Sequence, residues 1–155
     1  MAFNHGYKVY ICETAQPADL EQAALEALVW VEVKNVGTLP DRGRTQAELT
    51  FPTLSHGVIK GKGPIDFGSG DFEVSRKGTN EGRDAMVAAA ATELTYMMKL
   101  VAPDAVSGFT ATTEYLRGAI SGPLAPGGGP DGTNINRFSF YNEMYLEVAP
   151  EAIGS

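Results

Sequence analysis

The sequence predicts a mainly β fold: a β-sandwich or partial barrel with one flanking α-helix and one long inter-strand loop. Three observations carry that expectation. Between Val29 and Val33, valines recur at every second position against Trp30, Glu32 and Lys34, which is the period of a half-buried strand, and Asn35 and Gly37 follow as a turn signal. Between Asn136 and Val148, the residues Phe138, Phe140, Met144, Leu146 and Val148 share one face. Arg137, Ser139, Tyr141, Glu143, Tyr145 and Glu147 share the other, the pattern of one-sided burial. Glu81 to Ala91 is the one strong helical segment, rich in alanine and preceded by Asn80 as a capping residue.

The remaining elements follow in chain order. Tyr7 to Cys12 alternates Tyr7, Val9 and Ile11 with Lys8 and Tyr10 and predicts a first strand. Thr14 to Asp19 contains Pro17 and reads as a loop. Asp19 to Ala27 favours a short helical turn with Asp19 as N-cap, built on Leu20, Ala23, Ala24, Leu25 and Ala27. After the strand around Trp30, Gly37 to Gly43 carries Pro40 and Asp41 and predicts a turn. Thr45 to Phe51 alternates Ala47, Leu49 and Phe51 with Gln46, Glu48 and Thr50, a strand with one polar face.

Pro52 to Gly70 is glycine-rich and predicts a long loop, yet it holds Leu54, Val58, Ile59, Ile65 and Phe67. So much apolar surface in a loop implies docking, onto its own domain or onto a neighbour. Asp71 to Ser75 resumes a strand with Phe72 and Val74 on one face. In the helix, Glu81 and Asp84 sit near the positive end of the dipole, and Ala85, Met86, Ala88 and Ala89 form a stripe that should lie on a sheet. Leu94 to Val101 predicts a strand closed by Pro103, and Phe109 to Ile120 a further long one. Gly122 to Asn134, with Pro123, Pro126, Gly127 to Gly129, Pro130 and Gly132, predicts an extended hairpin tip before the last strand.

Length and composition bound the function. At 155 residues, with no internal repeat and no long linker, residues 1–155 are expected to form a single domain. A domain of this size buries roughly 70% of the surface its unfolded chain exposes. Its 18 glycines and 9 prolines suit turns between strands better than low complexity. The single cysteine, Cys12, permits no internal disulfide and reads as a small core residue. There is no basic segment leading into an apolar leader, and no run long enough to span a bilayer, so a chain made in the cytosol is expected. The net charge of −7 argues against a surface that grips nucleic acid. It equally suits a wall past which DNA slides, because basic contacts would add affinity through counterion release.

No catalytic constellation emerges. His5 and His56 are the only histidines, and neither has the spacing to a second ligand that zinc requires. Ser55 beside His56 lacks the strained turn of a hydrolase nucleophile. Gly61, Lys62 and Gly63 form no phosphate-binding loop, since no Ser or Thr follows the lysine into a helix. Asp66, Asp71 and Glu73, like Glu114, Glu143 and Glu147, read as solvated strand positions. The expectation is a non-enzyme without cofactor or metal.

The order of these elements resembles the major tail tube proteins of long-tailed bacteriophages and related phage-like particles. Trp30, Glu32, Val33, Asn35, Val36 and Gly37 look like that family's tryptophan-bearing strand and turn. Asp66, Phe67 and Gly68 look like the D-aromatic-G that ends its long loop, Glu81 to Ala91 like its single helix, and the two late strands like its closing hairpin. The resemblance implies a tail-tube-like β-sandwich that self-assembles into stacked hexameric rings. They would form the conduit for genome DNA in the virion tail, after assembly in the bacterial cytoplasm. It implies tape measure, tail terminator and distal tail proteins as partners, with no membrane. By the same implication the loop reaches a neighbouring subunit through Phe51, Leu54, Ile59, Ile65 and Phe67, while Lys60 and Lys62 pair with acidic groups there. Glu73 and Glu114, on the polar faces of their strands, are the lumen-facing candidates. Two alternatives remain: another tube-forming or tail-completion subunit, secretion-tube-like or a terminator, and a small-ligand-binding β-barrel or hydrolase using Asp66 and Asp71.

Overall fold

The computed structural model describes residues 6–128 and 134–153. Seven strands form one antiparallel, curled half-barrel sheet: β1 (Lys8–Ile11), β2 (Val31–Val33), β3 (Val36–Thr38), β6 (Ser69–Ser75), β7 (Thr95–Val101), β8 (Thr113–Leu124) and β9 (Ile135–Val148). Their order across the sheet is β2-β1-β7-β8-β9-β6-β3. Two further strands, β4 (Thr45–Thr53) and β5 (Gly57–Asp66), pair only with each other. The helices are α1 (Gln22–Glu26) and α2 (Glu81–Ala90).

Alternation along the strands sends one set of side chains inward. Val9, Ile11, Val33, Phe72, Val74, Met98, Leu100, Leu116, Ile120, Phe138 and Phe140 make one buried cluster, which α2 completes with Met86 and Ala89. Phe72 and Phe140 meet edge to face, 5.9 Å between centroids. The helix comes this close because Gly82 has no side chain. A β-carbon there would collide with the Glu32 carbonyl oxygen and the Val33 Cα of β2.

The outer face carries a second, smaller cluster: Cys12, Leu25, Met97, Tyr115 and Met144, with Leu20, Leu28, Trp30 and Leu146 against it. Trp30 therefore serves this outer layer. Its indole N–H donates to the Leu25 carbonyl at 3.0 Å, and its ring lies 5.9 Å from Tyr115. The alternating valines shorten to β2, and Val29 is 80% exposed. Asp19 does not cap α1. Glu21 occupies the cap position without a side-chain bond, and Asp19 instead accepts from the buried Arg117 guanidinium at 2.7 and 3.0 Å. Arg117 also donates to Glu143 at 2.8 Å, so an ion triad pins the segment after β1 to the outer face.

Strands β2 and β3 are consecutive in the chain yet lie at opposite edges of the sheet. Lys34 and Asn35 make that crossing without reversing the chain, with Asn35 in the left-handed region at φ 59°. Asn80, 1% exposed, holds it. Its side chain accepts from Lys34 N–H at 3.1 Å, donates to the Lys34 carbonyl at 2.6 Å, and accepts from Arg83 N–H at 3.2 Å as the cap of α2. Gly37, expected in a turn, belongs to β3.

The strand expected from Phe109 begins only at Thr113. Asp104 accepts from the Thr112 N–H at 2.8 Å and from its hydroxyl at 2.5 Å, which folds 104–112 into a loop. That strand then runs on to Leu124, into the expected tip. Residues 129–133 of that tip, and His5, lie outside the described residues.

Candidate assembly surface, a projecting hairpin arm

The segment from Pro52 to Gly70, expected as a loop, is mostly strand. Thr45–Thr53 and Gly57–Asp66 form a two-stranded antiparallel arm in the register Glu48↔Lys62, Leu49↔Gly61, Thr50↔Lys60, Phe51↔Ile59 and Pro52↔Val58. The physical reason is local. Thr53 closes the tip, its hydroxyl donating to the Gly57 carbonyl at 2.7 Å and accepting from His56 N–H at 3.0 Å, with Gly57 at φ +75°. The backbone groups of the expected loop thereby find partners in Thr45–Thr53. Ser55 and His56 are turn residues at this tip.

Directly opposed residues share a face, so the arm has two unlike sides. Leu49, Phe51 and Ile59 line one. Glu48, Lys60 and Lys62 line the other, with Thr50, Pro52 and Val58. Along β4 the residues Thr45 to Pro52 are all exposed. Phe51 is 68% accessible, and Leu49, Leu54, Val58, Ile59 and Ile65 are open as well. An arm of two strands with bare apolar residues gains little from folding by itself. Lys60 pairs within the arm, 3.7 Å from Glu48, between two well-exposed side chains. Phe67 differs from the other expected anchors. It is half-buried at the root, where its carbonyl accepts from the Asn142 side chain at 3.2 Å.

That root is fixed at several points. Asn142 N–H of β9 donates to the Gly68 carbonyl at 3.1 Å, and Asp66 caps Gly68 N–H at 2.8 Å. Pro40 packs on Gly70, where a β-carbon would stand 2.7 Å from the proline ring. Arg42, in the segment leading into β4, forms a close ion pair with Glu114 of β8 and lies 5.4 Å over the Tyr7 ring. Burial works against the Arg42 charge. The hydrogen bond and charge of Glu114, with Tyr7 behind, more than offset it and hold the guanidinium above its ordinary value. Burial first, then the charges of Glu114 and Glu147, push the neighbouring Tyr145 phenol up to about 12.

Glu73 and Glu114 do not share a surface. Glu114 alternates in step with Leu116 on the inner face and is 8% exposed, closing one end of the core with Arg42. Glu73 lies between Phe72 and Val74, so it points to the outer face, 3.5 Å from Arg137. There Ser139 donates to Asp71 at 2.9 Å, and Ser121 and Tyr141 meet at 3.1 Å, forming a polar, self-bonded surface on β6, β9 and the end of β8. Asp66 and Asp71 are each engaged by a separate partner. Among the described residues, no three of His, Cys, Asp and Glu gather as metal ligands would, and no helix is long and apolar enough to cross a membrane.

No protein-family model matches the chain, and no curated protein matches it in sequence. Among solved structures it is similar to a chain of the anti-feeding prophage baseplate, determined by cryo-electron microscopy with six-fold symmetry. The TM-score is 0.61 at 11% identity, over 96% of this chain and 96% of that one. That likeness extends the half-barrel with its flanking helix to a known fold.

Proposed function

We propose that this chain is a structural subunit of a phage or phage-like particle that assembles into six-membered rings. Stacked, the rings form the tail tube through which DNA leaves the virion. The single observation that carries this function is the arm: a hairpin anchored at its root that presents Leu49, Phe51 and Ile59 to solvent on one face, with Leu54 open at its tip. Monomeric proteins rarely display so much contiguous apolar surface, and a neighbouring subunit is the simplest cover. The fold likeness to a chain of a six-fold baseplate supports the ring stoichiometry. The outer polar face around Asp71, Glu73, Ser139 and Tyr141 supplies a wall for the lumen, and the net charge of −7 keeps it from retaining DNA. Tape measure, terminator and distal tail proteins are the expected partners, the particle forms in the bacterial cytoplasm, and the role involves no catalysis.

Negative-stain electron microscopy of the purified chain across concentration and salt, with sedimentation of the same samples, tests this. Tubes or stacked rings with a central channel are expected. Monomers that fail to extend even a supplied tube end would overturn it. The baseplate likeness favours a second role, a ring at the baseplate end from which the tube starts. Discrete rings that never lengthen would select it.

A further inference from the structure

Building on arm-mediated assembly, we infer that the charged face of the arm, opposite Leu49, Phe51 and Ile59, docks into a groove along α2 of a second copy of this chain. Glu81, Asp84, Ala85 and Ala88 recur at the i, i+3, i+4, i+7 spacing that puts them on one stripe of α2. Gly82, Met86 and Ala89 form the adjacent, buried stripe, and Ala89 borders the groove between the two. With Glu13 and Tyr96, the outward stripe lines a cavity of about 470 Å³ with an alanine floor. Its three carboxylates, Glu13, Glu81 and Asp84, have no ion-pair partner among the described residues. Arg83 of the same helix turns away, toward the Ser75 carbonyl at 3.5 Å.

The charged face of the arm is complementary to that stripe. It presents an apolar Pro52–Val58 pair, then Lys60, then Lys62. The spacings agree as well. On a strand rising about 3.4 Å per residue, Lys60 and Lys62 stand roughly 7 and 14 Å from Val58. On a helix rising about 1.5 Å per residue, Asp84 and Glu81 stand roughly 6 and 10 Å from Ala88. Val58 seated on Ala88 therefore brings Lys60 over Asp84, and the long Lys62 side chain reaches Glu81. Within one copy these surfaces do not meet, since no arm residue lines the groove. The exposed Lys60–Glu48 pair costs little to exchange.

Charge reversal in the full chain tests the pairing. Lys60→Glu with Lys62→Glu is expected to raise the concentration needed for assembly about tenfold, as is Glu81→Lys with Asp84→Lys. The four substitutions together should restore it. Because the helix variant also loses favourable charges at its N-terminus, a second measurement is independent of folding: mixed Val58→Cys and Ala88→Cys chains should cross-link under oxidation, with the buried Cys12 silent. Failure of both rescue and cross-link, while an arm-deleted chain still loses assembly, would overturn the groove and leave the arm's role standing. Normal assembly by the arm-deleted chain would overturn the arm's role itself.

Discussion

Asn80→Ala should destabilise the unassembled subunit by about 3 kcal/mol. The Asn80 side chain makes three hydrogen bonds, at 3.1, 2.6 and 3.2 Å, which join the crossing between β2 and β3 to the first turn of α2. Losing the cap of α2 costs about 1 kcal/mol. The N–H and carbonyl of Lys34 lose their partners too. Both sit in partly buried backbone, so the lower end of the usual range applies, about 1 kcal/mol each. For a domain of this size the sum corresponds to a melting temperature lower by roughly 6–12 °C. Urea unfolding followed by far-ultraviolet circular dichroism, below the assembly concentration, should show a lower midpoint with an unchanged m-value. Asn80→Asp keeps the acceptor for Lys34 N–H and Arg83 N–H, but it sets a carboxylate oxygen against the Lys34 carbonyl and buries a charge, so at neutral pH a loss at least as large is expected. A cost under about 1 kcal/mol for Asn80→Ala would refute the reasoning, because water would then be replacing all three bonds.

Gly82→Ala should cost about 2–3 kcal/mol, since α2 must move off β2 to admit a methyl group; denaturant unfolding reads this directly. Tyr145 ionises near 10 in an unfolded chain and at about 12 in the fold. The folded state therefore holds that proton more tightly, and the stability it contributes is complete below pH 10 and lost as pH rises toward 12. Melting temperatures across that window should fall less steeply in Tyr145→Phe. Phe51→Asp with Ile59→Asp should leave subunit stability within about 0.5 kcal/mol, because both side chains are exposed, while sedimentation shows assembly lost.

Periodicity made much of the half-barrel legible, because a strand with one buried face declares itself, as Val9 and Ile11 do. In β9 the register shifts opposite Arg117 and Gly118, so Phe138 and Phe140 face the inner cluster while Met144, Leu146 and Val148, expected on the same face, pack in the outer one. Where both faces are covered, the signal fades. Met97 and Met98 are both fully buried, one on each side of β7, and Trp30 packs into the outer cluster from what read as the polar side of its strand. The arm was missed for a different reason. Alternation in Ala47, Leu49 and Phe51 gave β4, but β5 is broken by Gly57, Gly61, Gly63 and Pro64 and becomes a strand only through its register with β4. Alternation also says which side chains share a face, and nothing about what covers it: Leu49 and Phe51 share one, and it lies open. Asn80 was legible as a cap but not as the lock on Lys34, 46 residues away. Glu114 shows the same limit: its place at the end of the inner face depends on Arg42, 72 residues distant.

The position of the arm follows from the same locks. Lys34 and Asn35 carry the chain from one edge of the sheet to the other, and Asn80 fixes that crossing against α2. Strand β3 then leads through Pro40, packed on Gly70, and Arg42, paired with Glu114, into β4. On the return, Phe67 and Gly68 are tied to Asn142 of β9. Both ends of the hairpin are thus bonded to the central strands of the half-barrel, and its direction is set by the sheet. A partner meeting such an arm need not supply the ordering cost that a mobile loop would impose, which for each backbone residue is on the order of 1–2 kcal/mol. Loosening the root while leaving every exposed apolar residue in place, as Arg42→Ala would, should therefore weaken assembly even though the contacting surface is unchanged. Intact assembly in a folded Arg42→Ala subunit would mean that contact area alone, without orientation, carries the association.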